Sequence, residues 1–404
     1  MVAKGRRRSM EALPEEVLHE VLSRVGNVKD LFMLAVTCRR WLRRFTDPAF
    51  LRGVLCPGHG VAVGHRARLL GFFFQQTRTR RLVFLPTPGS PLGPALTSFN
   101  HDGAFNCAEP LAARRGIVLM QLAPGILGTH LLGLCSPITG ERHLLPPLSL
   151  KCSSNVDSYA IITADDLDGP GRFAFSQLLI LTSLNSVVYL HSYSAATRSW
   201  SAPTVCMSSC RPLLCLVGER SAVVHGGAAH WLWINDQVPD RVDDQLYKLS
   251  TEVGTLRVSL TKLPLRAGGS PLLSVGRDGQ LSVACVYLEH VTVWTQQGAA
   301  WPRTAVIRIP TAVPNPKYRP QDQPREKWFD FSRGSMLVLY RSGGVFLLDL
   351  EKKVMEKIME DCSLPRFSHY WNEGKSVAYE MDLVEFFLLQ RGGLGLSMYI
   401  ENNN

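Results

Sequence analysis

Beyond Leu55 the sequence never sustains one kind of pattern for long: short apolar runs of Val, Leu, Phe and Trp alternate with clusters of Gly, Pro, Ser and Asn. Runs of strand length closed off by turn residues are the mark of many short β-strands. The runs also recur as a unit, in which an apolar strand leads through a polar turn to a second strand ending near Trp, Leu or Pro. Examples are "LLGLCSPITGERHLLPP" (Leu131 to Pro147), "VVYLHSYSAATRSWSAP" (Val187 to Pro203), "DQLYKLSTEVGTLRVSLTKLP" (Asp244 to Pro264), "VTVWTQQGAAWPRTAVIRIP" (Val291 to Pro310) and "GVFLLDLEKKVMEKI" (Gly344 to Ile358). "LLGFFFQQTRTRRLVFLP", Leu69 to Pro86, supplies a further unit. The turns return roughly every 45 to 60 residues, the range of propeller blades such as kelch. The pattern predicts an all-β, propeller-like domain over residues 61–400, with about six blades.

Two stretches of this region, Gly116 to Gly140 and Phe173 to Thr197, contain no Asp, Glu, Lys or Arg and have the length of a membrane span. The first is cut by "APG" at Ala123 to Gly125 and by "SPITG" at Ser136 to Gly140, the second by "SLNS" at Ser183 to Ser186. Paired buried strands joined by turns are therefore expected, and no membrane partner. The proline- and charge-rich "AVPNPKYRPQDQPREK", Ala312 to Lys327, reads as a solvated loop between blades. Toward the end, "SVAYEMDLVEFFLLQRGG" (Ser376 to Gly393) reads as a helix with a glycine stop in preference to a last strand, and Asn402 to Asn404 as a frayed tail.

The first fifty residues have a different period. In "PEEVLHEVLSRV", Pro14 to Val25, a proline opens the segment where its missing N–H is harmless, and Glu15 and Glu16 suit the positive helix start. Val17, Leu18, Val21, Leu22 and Val25 then fall on one face. After Gly26-Asn27, Asp30 can cap a second run carrying Leu31, Leu34, Ala35, Cys38, Trp41, Leu42 and Phe45 at steps of three and four. Phe32, Met33 and Val36 lie on other sides of that run. Either a bend near Thr37 makes two helices, or apolar side chains are offered to something outside. A module of about 40 residues rarely buries enough surface to stand alone, which favours an outside partner.

Leu13 to Leu51 resembles an F-box. The matching elements are Leu13-Pro14, the Glu16-Val17-Leu18 turn, Leu22, "VKDL" at Val28 to Leu31, "CRRW" at Cys38 to Trp41 and "DPAF" at Asp47 to Phe50. Gly26-Asn27 departs from the family, which commonly has an apolar residue and Pro there. The resemblance implies a three-helix module over residues 11–55, behind a basic tail over 1–10, that inserts into the Skp-type adaptor of a Skp-cullin-F-box ubiquitin ligase. The fold class is then α+β multidomain: a small F-box followed by the all-β propeller-like domain. Carried over by position, Leu13, Pro14, Val17, Leu18, Val21, Leu22, Leu31, Val36, Cys38 and Trp41 either contact the adaptor or form the module's own core. The later chain also resembles the F-box-associated β regions of plant F-box proteins, in "GAAHWLWI" (Gly227 to Ile234), the "DGQLSVACV" and "VTVWTQ" strands and "YEMD" (Tyr379 to Asp382).

Other chemistries are not written in the residues. There is no G-x-S-x-G, P-loop, H-E-x-x-H or helix-opening G-x-G-x-x-G. "HGGAAHW", His225 to Trp231, shares a pattern with esterase oxyanion loops but lacks a nucleophile elbow, so a tight turn before a buried Trp is expected. Asp165, Asp166 and Asp168, and Asp243-Asp244, read as solvated turns and not as calcium sites. The ten cysteines form no CxxC pair. Cys206, Cys210 and Cys215 read as buried thiols, so no metal and no cofactor are expected.

The net charge of +10 favours acidic partners. However, Arg39, Arg40, Arg43 and Arg44 alternate with Trp41, Leu42 and Phe45, unlike a polar groove-reading helix, which sets nucleic acid aside. No apolar secretory segment follows the basic start, so a cytoplasmic or nuclear protein is expected, with Lys4 to Arg8 either a nuclear address or a basic tail. The function expected is that of a non-catalytic receptor subunit that binds adaptor, and through it cullin, at one end and an unknown target at the other. Trp231, Trp233, Trp294, Trp301 and the Ala312 to Lys327 loop are candidates for the target site, with a core position the preferred reading for each tryptophan. The rival of a different class is a ligase-independent scaffold that binds nucleic acid or carbohydrate.

Overall fold

The computed structural model describes most of residues 68–308, the segments 326–330, 335–340, 344–349, 354–359 and 377–383, and, near the N-terminus, Pro14, Val17, Glu20, Val21 and Arg24. The basic tail, most of the helical module and the greater part of the proline-rich loop lie outside the described residues.

The described strands form antiparallel sheets, and all but one are meanders in chain order. One meander is β3 (Glu109–Arg114), β4 (Ile117–Ile126), β5 (Thr129–Cys135) and β6 (Arg142–Leu144), with β7 (Leu148–Ser149) continuing the outer edge on β5. The next is β8 (Asn155–Thr163), β9 (Phe175–Leu184), β10 (Val187–Ser194) and β11 (Ser199–Trp200), with β12 (Thr204–Met207) also on β10. A third has an interrupted inner strand, β13 (Leu214–Val217) and β14 (Val223–His225), followed by β15 (Ala228–Asn235), β16 (Asp244–Glu252) and β17 (Val258–Ala267). Then come β18 (Ser270–Val275), β19 (Leu281–Val286), β20 (His290–Thr295) and β21 (Arg303–Arg308), and finally β22 (Glu326–Asp330), β23 (Ser335–Tyr340), β24 (Gly344–Asp349) and β25 (Val354–Met359). The remaining sheet has three strands: β1 (Arg68–Gln75), β2 (Leu82–Pro86) and, from the far end of the chain, β26 (Val377–Met381).

Innermost strands of neighbouring sheets lie side by side, β26 by β3, β3 by β8, β8 by β14 and β14 by β18. Five meanders of four or five strands arranged in this way are the blades of a β-propeller. The Leu69 to Pro86 unit, expected as a further blade, builds the three-stranded sheet instead.

The repeat visible in the sequence has a definite place. Its five stretches coincide with β5–β6, β10–β11, β16–β17, β20–β21 and β24–β25, the outer hairpin of each blade. Three of these turns share one construction. Thr139, Thr197 and Thr255 are equally spaced along the chain, and each precedes a left-handed residue: Gly140 (φ 76°), Arg198 (φ 52°) and Leu256 (φ 56°). The Gly140 and Leu256 amides donate to the carbonyls of Ser136 and Glu252, each at 2.8 Å. The amides of Glu141 and Arg257 donate to the hydroxyls of Thr139 and Thr255 at 3.3 and 3.2 Å. Such a turn fixes the hairpin register through its own hydrogen bonds.

The charge-free stretches are paired strands, β4–β5 and β9–β10, as expected, and no helix among the described residues is long and apolar enough to cross a membrane. Apolar clusters fill the spaces between blades. One joins the three-stranded sheet to the first two blades, one joins the second blade to the third through Leu179, Leu181, Trp231 and Trp233, and one joins the third to the fourth through Leu232, Leu263, Val283 and Cys285.

The Ser376 to Gly393 segment, expected as a helix, opens as strand β26; Leu383 is helical, and residues 384–393 lie outside the described residues. Val377, Tyr379 and Met381 alternate inward, a period of two, and β1 offers an edge that only a strand can satisfy. Tyr379 packs edge-on to Phe73 at 5.2 Å between ring centroids, and its hydroxyl donates to the Gly116 carbonyl at 3.3 Å. The Gly116 amide donates back to Glu380 at 3.1 Å. Gly116 is left-handed (φ 82°), and a Cβ there would overlap the buried Met381 Cε. Gly116→Ala is therefore expected to cost about 3 kcal/mol in chemical denaturation, the sum of backbone strain and overpacking. Gly140→Ala, left-handed but facing open space, should cost only about 1 kcal/mol.

Candidate functional site

At the N-terminal end, Val17, Glu20 and Val21 are helical, and the Arg24 amide closes the turn on the Val21 carbonyl at 3.3 Å. Val17 and Val21 are one helical turn apart, on one side, and are 43% and 45% exposed. Glu20 and Arg24 form an exposed ion pair beside them, with the Arg24 Nε donating to Glu20 Oε1 at 2.8 Å. Pro14 is exposed as well. Of the residues named from the F-box resemblance, Leu13, Leu18, Leu22, Leu31, Val36, Cys38 and Trp41 lie outside the described residues.

On the propeller, the inner strands of the first two blades end at a polar clamp. Arg114, the last residue of β3, donates from both terminal nitrogens to the Asp166 carboxylate at 2.6 and 2.7 Å, and from one of them also to the Ile161 carbonyl at 3.2 Å. The Thr163 amide and hydroxyl donate to the same carboxylate, each at 2.9 Å. Arg115 pairs with Asp165 and donates to the Thr163 hydroxyl at 3.0 Å. The reading of Asp165 and Asp166 as solvated turn residues is thus overturned: one helical turn after β8, Asp165–Asp168, aims both back at the arginines of the preceding blade. No sequence signal joins partners this far apart. Burial raises the Asp166 pKa, but the Arg114 hydrogen bonds and charge, the Thr163 amide and the Arg115 charge outweigh it and hold the carboxyl below its usual range.

The tryptophans divide. Trp231 and Trp233 are buried core residues on the face toward the second blade. The Trp231 indole N–H donates to Ser158 of that blade at 2.8 Å, so "HGGAAHW" is the turn before a buried Trp that its pattern predicts. Trp294 and Trp301 are half-buried and pack into the space between the third and fourth blades. Facing the same space from β15, His230 contacts the Ser250 hydroxyl at 2.8 Å through Nδ1 and the His225 carbonyl at 3.2 Å through Nε2. Burial, and then the Lys248 charge, push its pKa down to about 4. Cys135, Cys206 and Cys285 are free, with burial pushing the Cys206 and Cys285 thiols up to about 12, so none is a ready nucleophile. Among the described residues no group of His, Cys, Asp and Glu has the arrangement to hold a metal ion.

Residues 10–56 match the F-box-like family model. Together with the blades, this defines the class: a β-propeller protein carrying an F-box-like segment ahead of the propeller. No curated protein matches the chain. Among solved structures it is similar to a prolyl endopeptidase (14% identity, TM-score 0.35, 61% of this chain and 35% of that one). It is also similar to the WD40 domain of SCAP from fission yeast (11%, TM-score 0.34, 61% and 49%) and to a functionally unknown protein from Desulfotomaculum acetoxidans (11%, TM-score 0.39, 71% and 95%). The chain spans about a third and a half of the first two. At these scores the likeness carries no argument, and the fold rests on the sheet topology above.

Asp166→Asn leaves Arg114 buried against a neutral partner and should cost about 3 kcal/mol in denaturation, while Arg114→Met with Asp166→Leu should recover most of it. Among the described histidines with lowered pKa values, His130, His143, His191 and His230, acid acts on His230 through the largest shift. Its folded pKa lies below the ordinary 6.5, so the stability present above pH 6.5 is lost as pH falls toward about 4. Thermal midpoints should drop across that window, and His230→Gln should flatten the drop.

Proposed function

We propose that this chain is the substrate-receptor subunit of a Skp-cullin-F-box ubiquitin ligase. The observation that carries the reading is the F-box-like match over residues 10–56, within which the helical Val17 and Val21 are both exposed on one side. A soluble helix usually turns its apolar stripe inward, and an outward stripe is the half-core an adaptor completes. Leu13, Pro14, Val17, Leu18, Val21, Leu22, Leu31, Val36, Cys38 and Trp41 supply the adaptor-facing and core positions of the module. Cullin is reached through the adaptor, in the cytoplasm or nucleus.

The propeller, read as the F-box-associated β region seen in plant F-box proteins, holds the target. The chain contributes no covalent step. It raises the concentration of a target lysine near the ubiquitin-charged enzyme, and that effective concentration is its whole mechanism. The arginines around Trp41 speed the encounter with an acidic adaptor surface, and apolar burial holds the complex.

Co-purification with a Skp-type adaptor tests this. Val17→Asp with Val21→Asp should weaken adaptor binding at least about tenfold, while the propeller's unfolding midpoint stays unchanged. Unaltered adaptor binding, or none by the parent chain, would favour the ligase-independent scaffold.

A further inference from the structure

Two cross-strand rows face each other across the space between the third and fourth blades. In the third blade, Val217, Leu232, Lys248 and Thr261 stand opposite one another on β13, β15, β16 and β17. In the fourth, Leu273, Val283, Trp294 and Arg303 do the same on β18, β19, β20 and β21. Val217, Leu232, Leu273, Val283 and Trp294 belong to one apolar cluster, so the two rows pack together on their inner side. Toward the outside stand Lys248, half-buried, with the exposed Thr261 beyond it, and Arg303, exposed, with the half-buried indole of Trp294 beside Arg303 and Trp301 one turn away.

The charges here are one-sided. Among the described residues of these two blades the cations are Lys248, Arg257, Lys262, Arg266, Arg303 and Arg308, against the carboxylates of Asp244 and Glu252. None of the described carboxylates forms an ion pair with Lys248. Its burial lowers its pKa, which is the cost of holding a cation partly out of water without a counter-charge. Val306, 52% exposed, lies on the same outer strand as Arg303.

We propose that this inter-blade mouth binds an extended acidic segment of the target protein, with carboxylate side chains on Lys248 and Arg303 and an apolar side chain against Trp294. The inference rests on the receptor reading, which gives the propeller a target to hold. A peptide fits better than a nucleic acid. In an extended chain, alternate side chains lie on one face about 7 Å apart, so acidic, apolar and acidic positions can meet cation, indole and cation. A phosphate backbone calls for an unbroken basic stripe, but the half-buried indole of Trp294 and the exposed Val306 leave this outer surface partly apolar.

The test uses the full chain with its adaptor and three fluorescent probes: a twelve-residue peptide whose every second position reads Glu, Leu and Glu in turn with Ser between them, its Gln counterpart, and a twelve-nucleotide single-stranded DNA. Anisotropy should show the Glu peptide binding at least about tenfold more tightly than the Gln peptide, and Lys248→Met and Arg303→Gln each losing about tenfold for the Glu peptide only. Both variants should keep adaptor binding and their unfolding midpoints. Val17→Asp with Val21→Asp should lose adaptor yet keep the peptide, so failure of the receptor reading and failure of this site give different patterns. Equal affinity for the Glu and Gln peptides, insensitivity to both substitutions, or preferential binding of the DNA would each overturn the proposal.

Discussion

Everything in the propeller depends on one strand pairing, that of β26 with β1. It joins Val377–Met381 to Arg68–Gln75 across nearly the whole length of the domain. A propeller gains its stability from blade-to-blade burial, and each blade can bury both faces only if it has two neighbours. By supplying the innermost strand of the three-stranded sheet, β26 places that sheet against β3 and gives the first blade its second neighbour. Tyr379 sits at this joint, fully buried, its ring among Phe73 and Phe84 and its hydroxyl on the Gly116 carbonyl. The chain end is thus held by an apolar core and by hydrogen bonds at once, the combination that makes a long-range contact worth its loop-closure entropy.

From that joint outward, neighbouring blades are fastened by few polar contacts and much apolar area. The Arg114–Asp166 clamp and the Trp231–Ser158 bond link consecutive blades, while the clusters between them carry most of the burial. Such polar contacts contribute more to register than to net stability, because desolvating the ions offsets much of their attraction. The space between the third and fourth blades departs from this scheme. There a half-buried lysine stands beside the apolar rows without an ion-pair partner among the described residues, which is why the proposed peptide site is placed there.

Much of the architecture was legible in the residues because outer hairpins write a clear pattern. Their strands alternate between a packed and a solvated face, and three of their turns carry Thr before a residue with a left-handed backbone. Inner strands are buried on both faces, so β8 or β19 offers only an apolar run with no phase to read. The opening of the closing segment was read as helix and not as strand for a related reason. Val377 to Met381 is short, and the partner that makes it a strand lies at the other end of the domain. The aspartates of Asp165–Asp168 looked like solvated turn residues because their counter-charges, Arg114 and Arg115, belong to the preceding blade.

By itself the sequence determined the two textures: an amphipathic, F-box-like start and a β-rich remainder built from repeated hairpins. Both follow from local periodicity and turn chemistry, which neighbouring residues settle among themselves. Only the tertiary structure decided that β26 closes onto β1, that Asp166 is a buried clamp, that Trp231 donates to Ser158 of the neighbouring blade, and that Lys248 and Trp294 lie on one inter-blade face. These are contacts between residues far apart in the chain, and their energies come from burial and charge pairing that exist only once the blades have packed.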